Sequence, residues 1–177
     1  LPGKVLKEIN GKPLIELLLN RLNKSNKIDK IVVVTTEKEE DDILVNFIKK
    51  IGFEYFRGSE ENVLDRYYQA AKIYNPSNII RITGDCPLID SSLIDKIINI
   101  HNNLSSDYTS NTLTRSFPDG LDVEVFSSEC LYQADLNSNN AFMREHVTPY
   151  IHGRLANKFP SGKFKREQLI NNIDYSQ

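Results

Sequence analysis

The chain has only two cysteines, Cys86 and Cys130, and they share no spacing pattern. That excludes a disulfide framework and points to a reducing compartment, read here as the cytoplasm. No apolar run approaches the ~20 residues that a membrane span needs. No signal peptide is legible, and because the first residue is Leu1 rather than Met, the start of the gene product is expected to lie upstream. Positive charge is not concentrated: the net charge is -2, and the short Lys163-Phe-Lys-Arg166 reads as a solvated edge. Neither nucleic acid nor a membrane surface is therefore expected as the main partner. Signature motifs are missing as well. No GxGxxG follows a strand, no GxxxxGK[ST] exists, and no Cys/His cluster has zinc spacing. The three histidines, His101, His146 and His152, are scattered. What is present is ordinary for one soluble domain: 177 residues, 40% apolar and 26% charged.

The chain is organised around Asn78-Ile-Ile-Arg-Ile-Thr-Gly-Asp-Cys-Pro-Leu-Ile-Asp90. The apolar run of residues 79–82 has the length of a buried strand, and it stops at Gly84 with Asp85 directly after. Ser91-Ser92 then caps a helix from Leu93 to about 103. One carboxylate thus stands at the carboxyl end of a strand, where open α/β sheets bind ligands and a hard divalent cation finds an oxygen donor. Gly-Asp is also an ordinary turn pair, so Asp85 could equally cap a turn.

On either side, helical and strand patterns alternate. Asn10-Gly11 marks a tight turn, and Pro13 opens a helix with Leu14, Leu17, Leu18 and Leu22 on one face. Residues 31–34 form a β-branched strand and residues 41–51 a helix stopped by Gly52. Residues 53–56 are a short strand, Arg57-Gly58-Ser59 a loop, and residues 62–74 a helix with Leu64, Tyr67, Tyr68 and Ala71 inward. Strands alternating with helices predict βαβ units and a parallel sheet. In the second half, residues 121–126 alternate, with Asp122 and Glu124 on the polar side of a half-covered strand. A helix follows from Ser127, and another from Phe142 is broken or kinked by Pro149. Carboxylates at strand ends, with Lys4, Arg57 and Arg66 as loop bases, suit a Mg²⁺–phosphate ligand. Asp122 and Glu124 could orient sugar hydroxyls, and Arg144-Glu-His146 could bind an anion. Each reads equally as a solvated face.

Five motifs in order resemble the cytidylyltransferases that activate acidic sugars, the acylneuraminate and 3-deoxy-manno-octulosonate group. They are Leu1-Pro-Gly-Lys-Val-Leu6, Arg57-Gly-Ser-Glu-Glu-Asn-Val-Leu-Asp-Arg-Tyr-Tyr68, Arg81-Ile-Thr-Gly-Asp-Cys-Pro-Leu-Ile-Asp90, Phe117-Pro-Asp-Gly-Leu-Asp-Val-Glu-Val-Phe126 and Arg144-Glu-His-Val-Thr-Pro149. The likeness is closest to the spore-coat polysaccharide (SpsF-like) branch. It implies a three-layer α/β/α nucleotide-diphospho-sugar transferase-like (Rossmann-like) fold with a mostly parallel sheet. It also implies that 1–177 is a single nucleotidyltransferase domain, truncated at both ends. In the family, the N-terminal strand and most of the phosphate loop precede Leu-Pro-Gly-Lys, and a closing helix follows the last metal Asp.

The implied reaction joins CMP from CTP to a sugar, releasing pyrophosphate, with Mg²⁺ as cofactor. The implied roles put Lys4 on the phosphates, Arg57, Asp65, Arg66, Thr83 and Gly84 at the nucleotide, and Asp85 and Asp174 on the metal. Lys4 and Asp85 would be catalytic. Asp122, Glu124, Arg144 and His146 would face the sugar, and a homodimer is expected. Thr83 departs from the Gln of octulosonate-activating relatives, which argues against that sugar. Two alternatives stand beside this reading. A glycosyltransferase of related fold would want Asp-x-Asp, but residue 87 is Pro. A non-catalytic nucleotide-binding module is the other.

Overall fold

A computed structural model describes residues 3–176. Leu1 and Pro2 of the Leu-Pro-Gly-Lys motif lie outside the described residues. In chain order the elements are β1 (Glu8–Ile9), β2 (Lys12–Pro13), α1 (Leu14–Leu22), β3 (Val32–Thr36), α2 (Asp42–Lys50), β4 (Glu54–Gly58) and α3 (Val63–Tyr74). Then come β5 (Asn78–Arg81), α4 (Ser91–Asn103), β6 (Tyr108–Ser110), β7 (Glu124–Ser127), α5 (Ser128–Asn137), α6 (Ala141–His146), α7 (Pro149–His152) and β8 (Arg166–Gln168). The α/β alternation expected from hydrophobic periodicity is observed. Strand β3 pairs in parallel with β4, Val32 opposite Glu54 and Thr36 opposite Gly58. A second sheet has the order β5-β7-β6-β8.

Two compact units divide the chain. One is drawn from the segments up to Ile31, Ile80–Val125 and from Glu167 on; the other is Val32–Ile79 with Phe126–Arg166. In the first, β1 and β2 form a hairpin whose turn residues Asn10 (φ 52°) and Gly11 (φ 75°) are both left-handed. That is the type I′ turn that Asn-Gly favours, because its twist matches the strands it joins. Helix α1 follows and buries Ile15, Leu18, Leu19 and Leu22. The apolar face is thus displaced from the Leu14/Leu17 stripe expected from the sequence, since Ile15 and Leu19 point inward instead. Helix α4 buries Leu93, Ile94, Ile97, Ile98 and His101. Its cap is Asp90, whose carboxylate accepts from the Ser92 and Leu93 amides, and not the Ser91-Ser92 pair.

In the second unit, α2 buries Leu44, Val45 and Ile48. Helix α3 is capped by Asn62, which accepts from the Asp65 amide, and it buries Leu64 and Ala70. Strand β4 continues through Arg57 and Gly58, which the sequence suggested were loop, because the parallel pairing with β3 extends that far. The break expected at Pro149 falls earlier, at Val147 (φ 67°, ψ -57°), where the Thr148 amide donates to the His146 carbonyl at 2.7 Å. This is the rare γ-turn. Pro149 itself starts α7, a first-turn position that suits its fixed φ. Nor is Arg166 part of a solvated edge. Its guanidinium donates to the carbonyls of Ile151, Phe164 and Gly162 and to the Ser161 hydroxyl.

Candidate active site

The end of β5 carries the candidate site of the first unit. Beyond Arg81 the chain leaves the strand, and Thr83, Gly84 and Asp85 form its turn. The Thr83 hydroxyl donates to Asp85 Oδ1 at 2.6 Å, and the Lys4 ammonium donates to Oδ2 at 3.1 Å. The Lys4–Leu6 segment is one 3-10 turn, opened by Gly3 at φ 67° and closed by the Leu6 amide on the Gly3 carbonyl. A Cβ added to Gly84 would stand 3.2 Å from Val5 Cγ1. A side chain there would push Val5 aside by a few tenths of an ångström, and the close approach that Gly84 permits sets Lys4 on Asp85. The Thr83 hydrogen bond, then Lys4, hold the Asp85 carboxyl below the usual carboxylate range, against a smaller opposing effect of burial. Its side chain is still 50% exposed. The group is an ionised oxygen donor open to a ligand.

The remaining sequence-identified residues of this unit are placed differently from one another. Asp122 pairs with Arg115 at 3.0 Å, and Arg115 also holds Asp119. Glu124, expected on a polar strand face beside Asp122, is instead 7% exposed. Residues 123–126 are all buried, so the alternation of the sequence does not mark a half-covered strand. Both Glu124 oxygens have partners: Arg81 Nη1 at 2.5 Å and the Tyr108 hydroxyl at 2.8 Å. Asp174 is exposed, and the Ser176 hydroxyl, then the Ser176 amide hydrogen-bonded to its carboxylate, lower its pKa.

Among the described residues no three His, Cys, Asp or Glu side chains gather into a metal-binding group. Mg²⁺ does not require such a cage, because it is held by one or two carboxylates together with substrate phosphates and water. The ionised, half-exposed Asp85 carboxylate fits that requirement.

In the second unit the candidate residues are largely engaged within the chain. Arg57 donates to the Thr36 and Lys38 carbonyls and to Asp42. Arg66 donates to the Ser59 carbonyl, and burial lowers its pKa. Its stem packs so tightly on Gly58 that a Cβ there would be 3.0 Å from Arg66 Cγ. Asp65 accepts from Gln69. Arg144 is held by Asp135 and by the Ser138 carbonyl, while the exposed His146 meets Phe142 in a tilted ring pair, 4.3 Å between centroids.

Sequence reasoning missed the Arg81–Glu124–Tyr108 contact. One signal was there: a single charged residue inside the apolar run 79–82 has to find a partner once it is covered.

An ionised carboxylate and a lysine at the carboxyl end of a strand stand where open α/β sheets bind their ligands. The family profile described as cytidylyltransferase matches residues 1–173, and the chain belongs to that family. It is 44% identical over 152 residues to an uncharacterised protein of Methanocaldococcus jannaschii, which covers 86% of this chain and 61% of that protein. It is 40% identical over 158 residues to the spore coat polysaccharide biosynthesis protein SpsF of Bacillus subtilis, covering 85% and 64%. The chain thus spans less than two thirds of the length of these curated relatives. Among solved structures, a cytidylyltransferase from Leptospira borgpetersenii superposes with a TM-score of 0.90 at 35% identity, over 99% of this chain and 72% of that one.

Proposed function

We propose that this chain carries the nucleotidyl-transfer site of an enzyme that joins CMP from CTP to a sugar, releasing pyrophosphate. The observation that carries the proposal is the Lys4–Asp85–Thr83 arrangement at the end of β5. A sugar hydroxyl oxygen attacks the α-phosphorus in line, a bond to that oxygen forms, and the bond to the bridging oxygen of the pyrophosphate breaks. Lys4 leaves Asp85 for the phosphates and offsets the charge that grows on the departing pyrophosphate. Thr83 fixes the Asp85 carboxylate, and Gly84 lets the Lys4 turn close on the strand end. Asp85, with Asp174, would hold Mg²⁺, which when bound supplies charge neutralisation at the reacting phosphate. Positioning and electrostatics supply most of the rate in this chemistry, so a rigid strand end suits it.

The family resemblance implies Arg57, Asp65 and Arg66 for the nucleotide, and Arg57 would have to leave its partners within the chain to reach it. Of the four residues implied for the sugar, Glu124 and Arg144 have their polar atoms engaged within the chain. Asp122 likewise has both oxygens on Arg115, which it would leave to reach a hydroxyl. An acidic sugar, a role in cell-surface polysaccharide synthesis, a cytoplasmic setting and a homodimer complete the proposal on the strength of the family resemblance.

The test is pyrophosphate release by the full-length protein from each of the four nucleoside triphosphates with Mg²⁺ and a panel of sugar acids. Release with CTP alone, dependent on one sugar, is the expected result. A protein that binds no CTP would overturn the proposal.

A further inference from the structure

Three adjacent strands of one sheet each contribute one polar side chain to a single buried contact. Arg81 lies on β5, Glu124 on the central neighbour β7, and Tyr108 on β6. The side chains of Arg81 and Glu124 are 19% and 9% exposed, and Tyr108 is fully covered. Glu124 is the joint. One oxygen takes the Arg81 guanidinium at 2.5 Å, and the other takes the Tyr108 hydroxyl at 2.8 Å. Strand β6 also holds the chain leading into Glu124. The Ser110 hydroxyl donates to the Val123 carbonyl, and the Asn111 side chain accepts from the Val123 amide and donates to the Leu121 carbonyl. The carboxylate is thereby fixed in place before it meets Arg81.

Arg81 is the last residue of β5, and Thr83 and Asp85 follow two and four residues on. A buried ion pair is a poor source of net stability, because desolvating both charges offsets their attraction. An apolar pair would pack here at no such cost. What the charged contact adds is direction, since guanidinium and carboxylate meet in one geometry while apolar groups slide.

We propose that Glu124 is a positioning residue for the transfer site: through Arg81 it fixes the end of β5 and so the orientation of the Asp85 carboxylate, and it does not touch the sugar. This rests on the nucleotidyl-transfer reading above.

The test uses Glu124→Gln in the full-length protein, with Tyr108→Phe as a milder second variant. Gln keeps the volume and can still accept from Tyr108, but it puts an amide where Arg81 needs a carboxylate. The first readout is hydrogen exchange, which needs no turnover. The amides of residues 82–86 are expected to exchange faster in Glu124→Gln while α4 stays protected. Unchanged exchange at 82–86, or an equal rise throughout the unit, would overturn the proposal. The second readout is kinetic. Kcat is expected to fall about 10- to 100-fold with the KM for the sugar unchanged, the loss typical when a group that orients a ligand-holding residue is removed. Tyr108→Phe should move both readouts in the same direction by less, and adding it to Glu124→Gln should cost little more. A raised sugar KM at constant kcat would make Glu124 a sugar contact and sink the idea. A wild-type protein without CTP-dependent turnover would count against the nucleotidyl-transfer reading, and the exchange result would still decide the role of Glu124.

Discussion

Two carboxylates sit just beyond strand ends in this chain, one in each unit, and both are held by threonines. Asp41 follows β3, and its Oδ2 accepts from the Thr35 hydroxyl, the Thr36 hydroxyl and the Thr36 amide. Asp85 follows β5 and accepts from the Thr83 hydroxyl and the Lys4 ammonium. Both pKa values are lowered. At Asp41 burial pushes upward, but the threonine hydrogen bonds outweigh it; at Asp85 the Thr83 bond leads. The difference lies in the partners. Asp41 is committed to the Thr36 amide and the two threonine hydroxyls, and it closes a loop. Asp85 has its local hydrogen bonds, from the Thr83 hydroxyl and the Cys86 thiol, on one oxygen, and on the other a partner on a flexible stem, which a cation or phosphate can replace. A strand-end carboxylate is a ligand candidate when its lone pairs are held loosely, and a structural cap when its own turn occupies them.

The sharpest way to break this comparison is to truncate each group. Asp85→Ala is expected to lower kcat about 10²–10³-fold, the scale for losing a preorganised electrostatic contact. Its melting temperature should barely move, because half-exposed surface sites cost about 0.5 kcal/mol or less. Asp41→Ala should do the reverse, with turnover per folded molecule intact and a loss of about 1–3 kcal/mol in denaturant melts, from the donors left unpaired. If Asp41→Ala kills turnover in a folded protein, the distinction fails.

Lys4→Gln should lower kcat about 10²-fold. In titrations without nucleotide it should also strengthen Mn²⁺ binding severalfold, because the ammonium and a metal compete for the same oxygen. Weaker Mn²⁺ binding would show that Lys4 helps to build the metal site. Gly84→Ala should cost about 1 kcal/mol through crowding against Val5, together with a severalfold drop in kcat as the Lys4 turn is displaced. An unaffected kcat would mean that the turn is free to move.

The smallest effect is in acid. Both carboxyls titrate lower in the folded protein than in the unfolded chain, so their contributions are present above about pH 3.9, the usual Asp value. They are lost as the pH falls below it, through the folded values. Asp41→Asn and Asp85→Asn should each flatten part of the fall in melting temperature below that pH. A variant that steepens it would reverse the sign argued here.

Much of this was legible in the sequence, because apolar periodicity and turn chemistry are local. The Asn10-Gly11 hairpin, the helices α1 to α4 and the turn after β5 all follow from residues within a few positions of one another. The phase of α1 was misread because a leucine-rich helix offers two adjacent apolar stripes, and only packing selects between them. The Asp90 cap was missed since Asp and Ser satisfy the same amides, and the choice depends on where the strand end delivers the chain. Glu124 was misplaced for a different reason. Its partner Arg81 is 43 residues away, and alternation along 121–126 cannot reveal that both faces of the strand are covered. The three hydrogen bonds on Asp41 went unnoticed because Asp in a first helical turn is unremarkable as a sequence feature.

The division of the chain into units has a consequence for synthesis. The path passes from one unit to the other four times, so neither is a continuous segment. Synthesis delivers the last residue of the second unit, Arg166, before the closing strip of the first. In that strip the Leu169 amide bonds the Ser110 carbonyl and the Tyr175 amide bonds the Ser116 carbonyl. The unit that holds Lys4 and Asp85 is therefore incomplete until the residues from Glu167 on have been made, although its segment up to Ile31 precedes all of the other unit. Loss of the residues from Glu167 on should thus disturb the unit that holds the transfer site, leaving the other unit's own segments whole.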